Sequence, residues 1–362
     1  MKLNSKKLTH EAGHIVFVHP SLMGGGAERV SLALASYFIA HGFRFSYLLT
    51  KSPLVDYDLP KGVEVISRFA SPSVKPLQQI RYIRGTMKAN PKATFISFLP
   101  HQNMYTLIAS TGLPNKVVVS VRNDPRFDFP GNTVLPKVRD VLYRKASAIV
   151  FQTHAQKDLF PRSLQEKGAV ILNPISSSVP EPFEGPRRKA IVTSGRLEEQ
   201  KNHGMTIRAF AEFHKSHPDY TLEVFGKGSL KAELIQLADD LGVADSVVFK
   251  GFSPDALEDV RTASAFVMSS RFEGLSNSML EALAMGVPTV CTRCLGGGAE
   301  AVIDDGVNGL LVDVDDFAAE ARSFDRLVDD LEFAQTISTR ARRLRDELSL
   351  ENIGNSWRRL IS

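Results

Sequence analysis

Short apolar runs alternate with longer stretches of helical periodicity along this chain, and the alternation starts again after residue 189. The first set of runs comprises 15–19, 45–49, 63–66, 94–98, 117–121, 148–151 and 169–172. The second set comprises 190–194, 220–225, 246–249, 265–268 and 287–290. Parallel strands need a crossover connection, which is usually a helix, so this alternation predicts parallel sheets with helices on both faces.

The stretches between the runs supply the helices. Predicted helices of the first half are 27–42, 76–89, 102–110, 134–145 and 154–159. Those of the second half are 203–216, 229–241, 254–263, 278–285, 298–304 and 351–362. Residues 179–189 are rich in Pro, Gly and charge, which is typical of a linker.

A chain of 362 residues is long enough for two domains. We therefore predict two doubly wound Rossmann-like α/β domains, an N-terminal one at 1–183 and a C-terminal one at 189–350, with 351–362 as a helix that returns to the first. Two such domains would place the carboxyl ends of their strands across a cleft, where open α/β sheets bind ligands.

The net charge of +4 conceals an asymmetry. Residues 1–185 carry 23 Lys and Arg against 12 Asp and Glu, whereas the remainder carries 21 against 28. The basic half predicts a phosphate-rich partner such as anionic lipid. Within it, the stretch 75–92 combines basic residues with an apolar stripe, which suits either a lipid surface or packing on its own sheet. The acidic half and the lack of basic motifs interleaved with aromatics argue against nucleic acid.

Location and metal content follow from a few residues. No run is long enough for a membrane helix or a signal peptide, so we expect a cytoplasmic protein, free or peripheral on the inner face of the membrane. Cys291 and Cys294 are the only cysteines and lack the further ligands of a zinc site. His10-Glu11-Ala12-Gly13-His14 spells a zinc-protease motif but runs straight into a strand. We expect neither a metal nor a cofactor.

Two carboxylates flank the turn that follows the run 265–268. Glu273 precedes a predicted helix start and Glu281 lies inside that helix, with seven residues between them. Between the two, residues 274–277 would present backbone N–H groups at a helix N-terminus, which suits an anionic group. An acid on either side of an anion site matches a sugar, a diphosphate and a ribose, the parts of a nucleotide-sugar.

This pair resembles the Glu-x7-Glu motif of glycosyltransferase family 4, whose members are retaining enzymes of the GT-B fold. The resemblance implies that Glu273 holds the donor sugar and Glu281 the ribose. Gly195-Arg196 and Lys201-Asn202 follow the first strand of the second domain, as a similar family segment does. By that resemblance Arg196 and Lys201 bind the donor phosphates and neutralise the leaving group. Arg and Lys on one loop can converge on a diphosphate.

Other loops of the second half resemble the family in the same order. Gly226 and Gly228 would leave room for the nucleotide, and the backbone around Phe252 would meet the base. Residues 296–300 resemble the second donor loop, followed by 308–312. The helix start itself contributes the predicted donor-binding residues Gly274, Leu275, Ser276 and Asn277.

In the first half, residues 24–30 resemble the family's opening loop, which makes Gly25 and Gly26 predicted donor-binding residues. His101 stands where many members carry an active-site histidine, after a strand and before a helix. Residues 120–123 resemble a further family segment, and Arg122 is an acceptor-side candidate. The family's second pattern containing a histidine is not obvious here.

The resemblance implies a retaining glycosyltransferase that acts in bacterial polysaccharide or glycan assembly, with Glu273, His101, Arg196 and Lys201 as the catalytic set. Its donor would be a nucleotide-diphosphate sugar, a UDP-hexose or a UDP-N-acetylhexosamine, and its acceptor a glycan, such as one linked to polyprenyl diphosphate. Three alternatives stay open: a nucleotide-sugar epimerase, a glycoside phosphorylase of the same fold, and a non-catalytic nucleotide-sugar-binding partner of a synthesis complex.

Overall fold

A computed structural model describes residues 12–69, 71, 73–251, 253 and 256–362. The chain divides into two compact units. The first comprises Met1–Pro174 together with Leu350–Ser362, and the second comprises Ile175–Ser349. The predicted donor residue Phe252 and the motif residues His10 and Glu11 lie outside the described residues.

The first unit is built on a seven-stranded sheet whose strands all pair in parallel. Its strands are β1 His14–His19, β2 Arg44–Leu49, β3 Glu64–Ser67, β4 Thr94–Phe98, β5 Val117–Ser120, β6 Ala148–Phe151 and β7 Gly168–Val170. Their order across the sheet is β3-β2-β1-β4-β5-β6-β7. The strand order therefore reverses between β1 and β4, and ligands of open α/β sheets bind at such a switch point.

Helices connect these strands. They are α1 Gly26–Ala40, α2 Pro76–Ala89, α3 Pro100–Ala109, α4 Leu135–Tyr143, α5 His154–Asp158 and α6 Arg162–Gln165. The strands are rich in Val, Ile and Phe because both faces of the sheet are buried. In α2, Ile83 and Met87 are buried in this core whereas Leu77 is exposed. Most of the α2 apolar stripe thus packs on its own sheet.

The second unit repeats the architecture with six strands, which also all pair in parallel. They are β8 Arg188–Ser194, β9 Thr221–Phe225, β10 Val247–Gly251, β11 Ala263–Met268, β12 Thr289–Thr292 and β13 Leu310–Val312. The order is β10-β9-β8-β11-β12-β13, so this sheet reverses between β8 and β11. The loops after β8 and β11 are those that carry Arg196, Lys201 and Glu273.

The helices of the second unit are α7 His203–His214, α8 Lys231–Asp240, α9 Ala256–Thr262, α10 Asn277–Ala284, α11 Phe317–Asp329, α12 Leu331–Ala341 and α13 Leu344–Glu347. The last helix, α14 Leu350–Ile361, belongs to the first unit. There Trp357 is buried, with its ring centroid 5.8 Å from that of Phe98. The Tyr37 hydroxyl donates to Asn355 Oδ1 at 2.7 Å.

Two sequence predictions differ from the structure. The predicted helix 298–304 is wrong, since these residues form successive turns in which Ala301 N donates to Gly297 O and Ile303 N to Ala299 O. Residues 175–183 belong to the second unit rather than the first. Ile175 N donates to Leu348 O, and the Arg345 guanidinium donates to Val179 O, so this segment is bonded to the end of the second unit.

The units match the predicted α/β class. No helix of the described residues is both long and apolar enough to cross a membrane.

Candidate active site

An ion pair joins the two loops at the switch point of the second sheet. The Lys201 ammonium contacts Glu273 Oε2, and the two side chains are only 13% and 15% exposed. Gly195 lies beside the aliphatic stem of Lys201, where an added Cβ would approach it to 3.2 Å. The Lys201 side chain thus lies between Gly195, at the start of its own loop, and the Glu273 carboxylate. The predicted catalytic residues Lys201 and Glu273 are therefore in contact.

Gln200 fastens the same two loops through both its backbone and its side chain. Arg271 N donates to Gln200 O at 2.8 Å, and Gln200 Nε2 donates to Phe272 O at 3.0 Å. Arg196 Nη2 donates to Gln200 Oε1 at 3.0 Å, while the arginine side chain itself is exposed. Gln200 therefore ties the loop of Lys201 to the loop of Glu273.

Asn202 ends the loop after β8 in a left-handed conformation, with φ of 51°. Its Nδ2 donates to Asp315 Oδ1 at 3.0 Å, and Arg271 Nη1 donates to Asp315 Oδ2 at 2.6 Å. Asn tolerates this conformation better than most residues. The start of α7 is thereby tied to the loop that carries Glu273.

A third loop, after β12, packs against the Glu273 loop. Glu273 N donates to Leu295 O at 2.9 Å. Gly298 lies directly against the Gly274 carbonyl, and a Cβ at Gly298 would collide with that oxygen. Gly298 thus allows two backbones to meet.

Helix α10 begins where these loops meet. Ser276 is its N-cap residue and makes no side-chain capping bond, and Ser276 Oγ lies 3.0 Å from Ser278 Oγ. The first N–H groups of a helix have no intrahelical acceptor and carry the positive end of its dipole. Glu281 lies in the second turn and is buried. Leu275 and Asn277 complete the segment that the sequence predicted as an anion site.

Gly226 and Gly228 follow β9 and pack against the backbone of the loop after β8. Leu197 N donates to Lys227 O at 3.0 Å and Leu230 N to Leu197 O at 3.0 Å. A Cβ at Gly226 would collide with the Gly195 carbonyl, and one at Gly228 with the Leu197 backbone. Both glycines are therefore required by backbone packing around the loop of Arg196 and Lys201.

Several buried titratable groups lie beneath this surface. Burial, and then the charge of Lys201, lowers the pKa of His203 to about 4. Burial raises the pKa of Glu320 to about 7, and Ser269 Oγ donates to its Oε2 at 2.6 Å. Burial, followed by the charges of Glu273 and Glu300, raises the pKa of Cys294 to about 12, and Cys291 is a second buried free thiol. At neutral pH His203 and both thiols are uncharged.

In the first unit the opening loop is held by a tyrosine. Gly25 N donates to the Tyr57 hydroxyl at 2.7 Å, and that hydroxyl donates to Gly25 O at 3.1 Å. Gly26 is the first residue of α1. His19, at the end of β1, is buried, and its Nε2 lies 3.7 Å from Glu28 Oε1. Burial lowers the pKa of His19 to about 4.

His101 is the second residue of α3, the helix that follows β4, and β4 is the strand next to β1 in the sheet. Its ring is exposed and meets the Phe129 ring edge to face at 5.0 Å between centroids. Partial burial, and then the charge of Lys51, lowers its pKa. Leu99, two residues earlier, has φ of 72°, a conformation that costs energy for a residue with a Cβ. The turn that presents His101 is therefore strained.

Arg122 follows β5, and its guanidinium contacts an aromatic ring and an amide oxygen. Its guanidinium carbon lies 4.4 Å from the Phe98 ring centroid, and Nη2 donates to Asn173 Oδ1 at 2.6 Å. No carboxylate of the described residues comes within 4.0 Å of this guanidinium, and burial lowers the pKa of Arg122 to about 9. A cation in this setting attracts an anion.

The sequence predictions did not include Gln200 or Asp315 as site residues and gave Asn202 only as part of a motif. All three join the loops to one another, Gln200 and Asn202 by hydrogen bonds and Asp315 also by its ion pair with Arg271. The only available signal was that Gln200 and Asn202 flank Lys201 in the sequence. Among the residues that the structure describes, no group of three or more His, Cys, Asp or Glu is placed to hold a metal ion.

Known proteins are similar to this chain in sequence and in fold. Residues 179–344 match the profile of the family described as Glycosyl transferases group 1. The chain is 28% identical over 322 residues to the N-acetylgalactosamine-N,N'-diacetylbacillosaminyl-diphospho-undecaprenol 4-alpha-N-acetylgalactosaminyltransferase of Campylobacter jejuni, covering 83% of this chain and 86% of the relative. It is 25% identical over 358 residues to a second alpha-1,4-N-acetyl-D-galactosaminyltransferase of that organism, covering 96% and 98%.

Solved structures show the same fold over nearly the whole chain. Anabaena HepE in complex with UDP and glucose aligns with a TM-score of 0.82 and 20% identity, covering 95% of this chain and 98% of that one. Together with the two parallel sheets described above, this identifies the fold. The chain thus has the GT-B fold, and its residues 179–344 match the profile of the glycosyl transferases group 1 family.

Proposed function

We propose that the chain transfers a sugar from a nucleotide-diphosphate donor to a glycan acceptor with retention of anomeric configuration. The observation that carries the proposal is the Lys201–Glu273 pair beside the N-terminus of α10. A cation, a hydroxyl-binding carboxylate and a helix N-terminus lie together there. A departing nucleoside diphosphate and its sugar need these three groups.

The donor site would act by stabilising the negative charge of the leaving diphosphate. As the glycosidic bond to the diphosphate breaks, negative charge develops on the β-phosphate oxygen. Lys201, the exposed Arg196 and the N–H groups of α10 would stabilise that charge. On donor binding, Lys201 would exchange part of its contact with Glu273 for the phosphate. Glu273 would then accept hydrogen bonds from sugar hydroxyls, and Glu281 from the ribose.

Retention follows from how the acceptor would attack. The acceptor hydroxyl oxygen would form the new bond to the anomeric carbon on the face from which the diphosphate leaves. The departing phosphate oxygen would take the hydroxyl proton, so no carboxylate has to form a covalent intermediate. The positive charges of Arg196 and Lys201 would serve in place of a metal ion.

The names of the relatives support the choice of donor and acceptor. Both Campylobacter relatives are N-acetylgalactosaminyltransferases whose names include an undecaprenol-linked diphosphate. HepE was solved with UDP and glucose. We therefore assign a UDP-hexose or UDP-N-acetylhexosamine as donor, and a glycan on polyprenyl diphosphate as acceptor, in bacterial cell-surface glycan assembly. His101 and Arg122 of the first unit would contact the acceptor.

The first test is a thermal-shift screen of the purified protein against UDP, GDP, ADP and their common sugars, without added metal. We expect UDP to raise Tm and one UDP-sugar to raise it further. Transfer to a polyprenyl-diphosphate acceptor would then be followed by chromatography, and the anomeric configuration of the product by NMR. A shift with inorganic phosphate alone would contradict the proposal and favour a phosphorylase. An inverted product would contradict retention.

A further inference from the structure

Helices α2, α3 and α4 pack side by side in the first unit, with α3 in the middle. Arg84 Nη1 on α2 donates to Ala109 O at 2.7 Å and to Thr111 O at 2.8 Å, at the end of α3. Lys145, just after α4, donates from Nζ to Thr111 Oγ1 at 3.3 Å. The three helices therefore form one continuous layer, which we call the α2–α4 layer.

Helix α4 turns apolar side chains away from the core of its unit. Val134, Val138 and Val141 are 63%, 39% and 59% exposed. They are spaced at i, i+4 and i+7, so they form one stripe, which we call the α4 stripe. Arg139 and Tyr143, on the opposite side of the helix, are buried. A surface helix ordinarily directs such a stripe into the core, and this one directs it outward.

Cations flank the α4 stripe. Lys137 and Arg144 are exposed and, at 100° per residue, share with the three valines an arc of roughly 120°, and the exposed Lys145 follows the end of the helix. Among the residues that the structure describes, none of these three cations has a carboxylate within ion-pair distance. The acid of the helix, Asp140, pairs instead with Arg139 at 3.0 Å.

The rest of the α2–α4 layer has the same character. Residues 65–123 contain eight Lys and Arg and not one Asp or Glu. On α2, Arg81 and Lys88 are exposed, and Leu77 is exposed beside them. On α3, Ile108 is a further exposed apolar side chain. The layer thus presents positive charge and apolar side chains with almost no compensating acid.

We propose that the α2–α4 layer is a docking surface for an anionic lipid bilayer, with the α4 stripe entering the headgroup boundary. A bilayer surface accommodates both features, because valines can enter the boundary region while Lys and Arg contact lipid phosphates. A nucleic acid would use the cations but prefers aromatic stacking platforms over aliphatic stripes. Vesicle binding measures the attachment of the protein to a membrane. Its result therefore does not depend on whether the transfer reaction proposed above is correct.

The test is co-sedimentation of the full chain with vesicles of phosphatidylcholine alone and of equal parts phosphatidylcholine and phosphatidylglycerol. We expect binding to the anionic vesicles only, and weaker binding as salt rises. The triple variant Val134→Ser, Val138→Ser, Val141→Ser should lower the partition coefficient about tenfold or more. Removing cations with Lys137→Gln and Arg144→Gln should cost about fivefold for each charge.

Matched controls come from the second unit. Ile235, Val248 and Leu331 are exposed apolar residues outside the α2–α4 layer, so their triple replacement by Ser should leave vesicle binding unchanged. Lys215→Gln with Lys231→Gln controls in the same way for the loss of two exposed cations. Circular dichroism of each variant checks that it is folded.

The proposal would be overturned if the wild-type chain bound neutral and anionic vesicles equally, or bound no vesicles at all. It would also be overturned if the triple valine-to-serine variant bound anionic vesicles as well as the wild-type chain does. A fourth contrary result is that the wild-type chain and this variant both retain single-stranded RNA and neither binds vesicles. That result would assign the cations to a nucleic acid.

Discussion

Lys201 and Glu273, 72 positions apart in the chain, meet as an ion pair at the point where the second sheet reverses its strand order. Each residue comes from a loop at the carboxyl end of a neighbouring strand, β8 and β11. Gln200, next to Lys201, bonds the two loops together through Arg271 and Phe272. The position of the ammonium is thus set by the sheet and the loops before any donor arrives.

Lys201→Ala and Glu273→Gln should each lower kcat/KM for the nucleotide-sugar by about a hundredfold or more, because each removes a group that acts on the leaving diphosphate or the sugar. Initial rates under saturating acceptor measure this. Lys215→Ala, which breaks the exposed Lys215–Glu212 pair of the same unit, should leave the rate unchanged. Near-normal turnover in a folded Lys201→Ala protein would remove that lysine from the mechanism.

Gly298→Ala should destabilise the chain by about 1–3 kcal/mol, since the new Cβ would force apart the Gly298 and Gly274 backbones. Urea unfolding measures the loss. The same displacement should weaken the thermal shift given by UDP. Gly85→Ala is the matched control, because this exposed glycine of α2 has open space around it and alanine is the better helix former. A Gly298→Ala protein as stable as wild type would contradict the close approach.

Glu320→Gln should change how stability depends on pH. The folded pKa of Glu320, about 7, lies above its ordinary value of 4.5, so the folded chain binds more protons than the unfolded chain between these values. The contribution of this carboxyl to stability is therefore complete below pH 4.5 and is lost as pH rises through about 7, a change of about 3 kcal/mol.

Urea unfolding of both proteins from pH 5 to 8 isolates this effect. The difference in unfolding free energy should move in favour of Glu320→Gln as pH rises, because glutamine cannot ionise. Buried His203 and His19, whose lowered pKa values make the protein less stable toward acid, contribute equally to both proteins and cancel. Parallel pH profiles would show that Glu320 titrates normally.

Arg122→Gln should raise KM for the acceptor about tenfold or more, and leave the thermal shift given by UDP unchanged. The reason is that it removes from the first unit a cation that has no carboxylate partner among the described residues, while the donor loops of the second unit stay intact. Arg162→Gln, an exposed cation of the same unit, is the control. An increase in donor KM with no effect on acceptor KM would place Arg122 on the donor side.

The sequence predicted the sheet architecture because parallel strands buried on both faces leave uninterrupted apolar runs. It also drew attention to Lys201 and Glu273, through their resemblance to motifs of a known family, and the structure places their loops after the neighbouring strands β8 and β11. It could not predict the close approach of Gly298 to the Gly274 carbonyl, because these two residues are distant in the sequence and only packing brings them together.

The sequence also could not show which apolar helix faces are exposed. The stripe of α2 and that of α4 have the same apolar periodicity, yet Ile83 and Met87 face the core whereas Val138 and Val141 face outward. Periodicity shows that a helix has two faces, and only packing shows which of them is covered. The amphipathic helices α11 and α12 have a helical periodicity, although they are missing from the sequence predictions.

The last helix has a consequence for biosynthesis. Because α14 belongs to the first unit, the whole second unit is an insertion between two parts of the first. A ribosome therefore finishes residues 175–349 before it makes Trp357, which packs near Phe98, and Gly354, which lies against Tyr37. The second unit can complete its fold while the first still lacks a covering helix, so the half of the protein that is made first is the last to be finished.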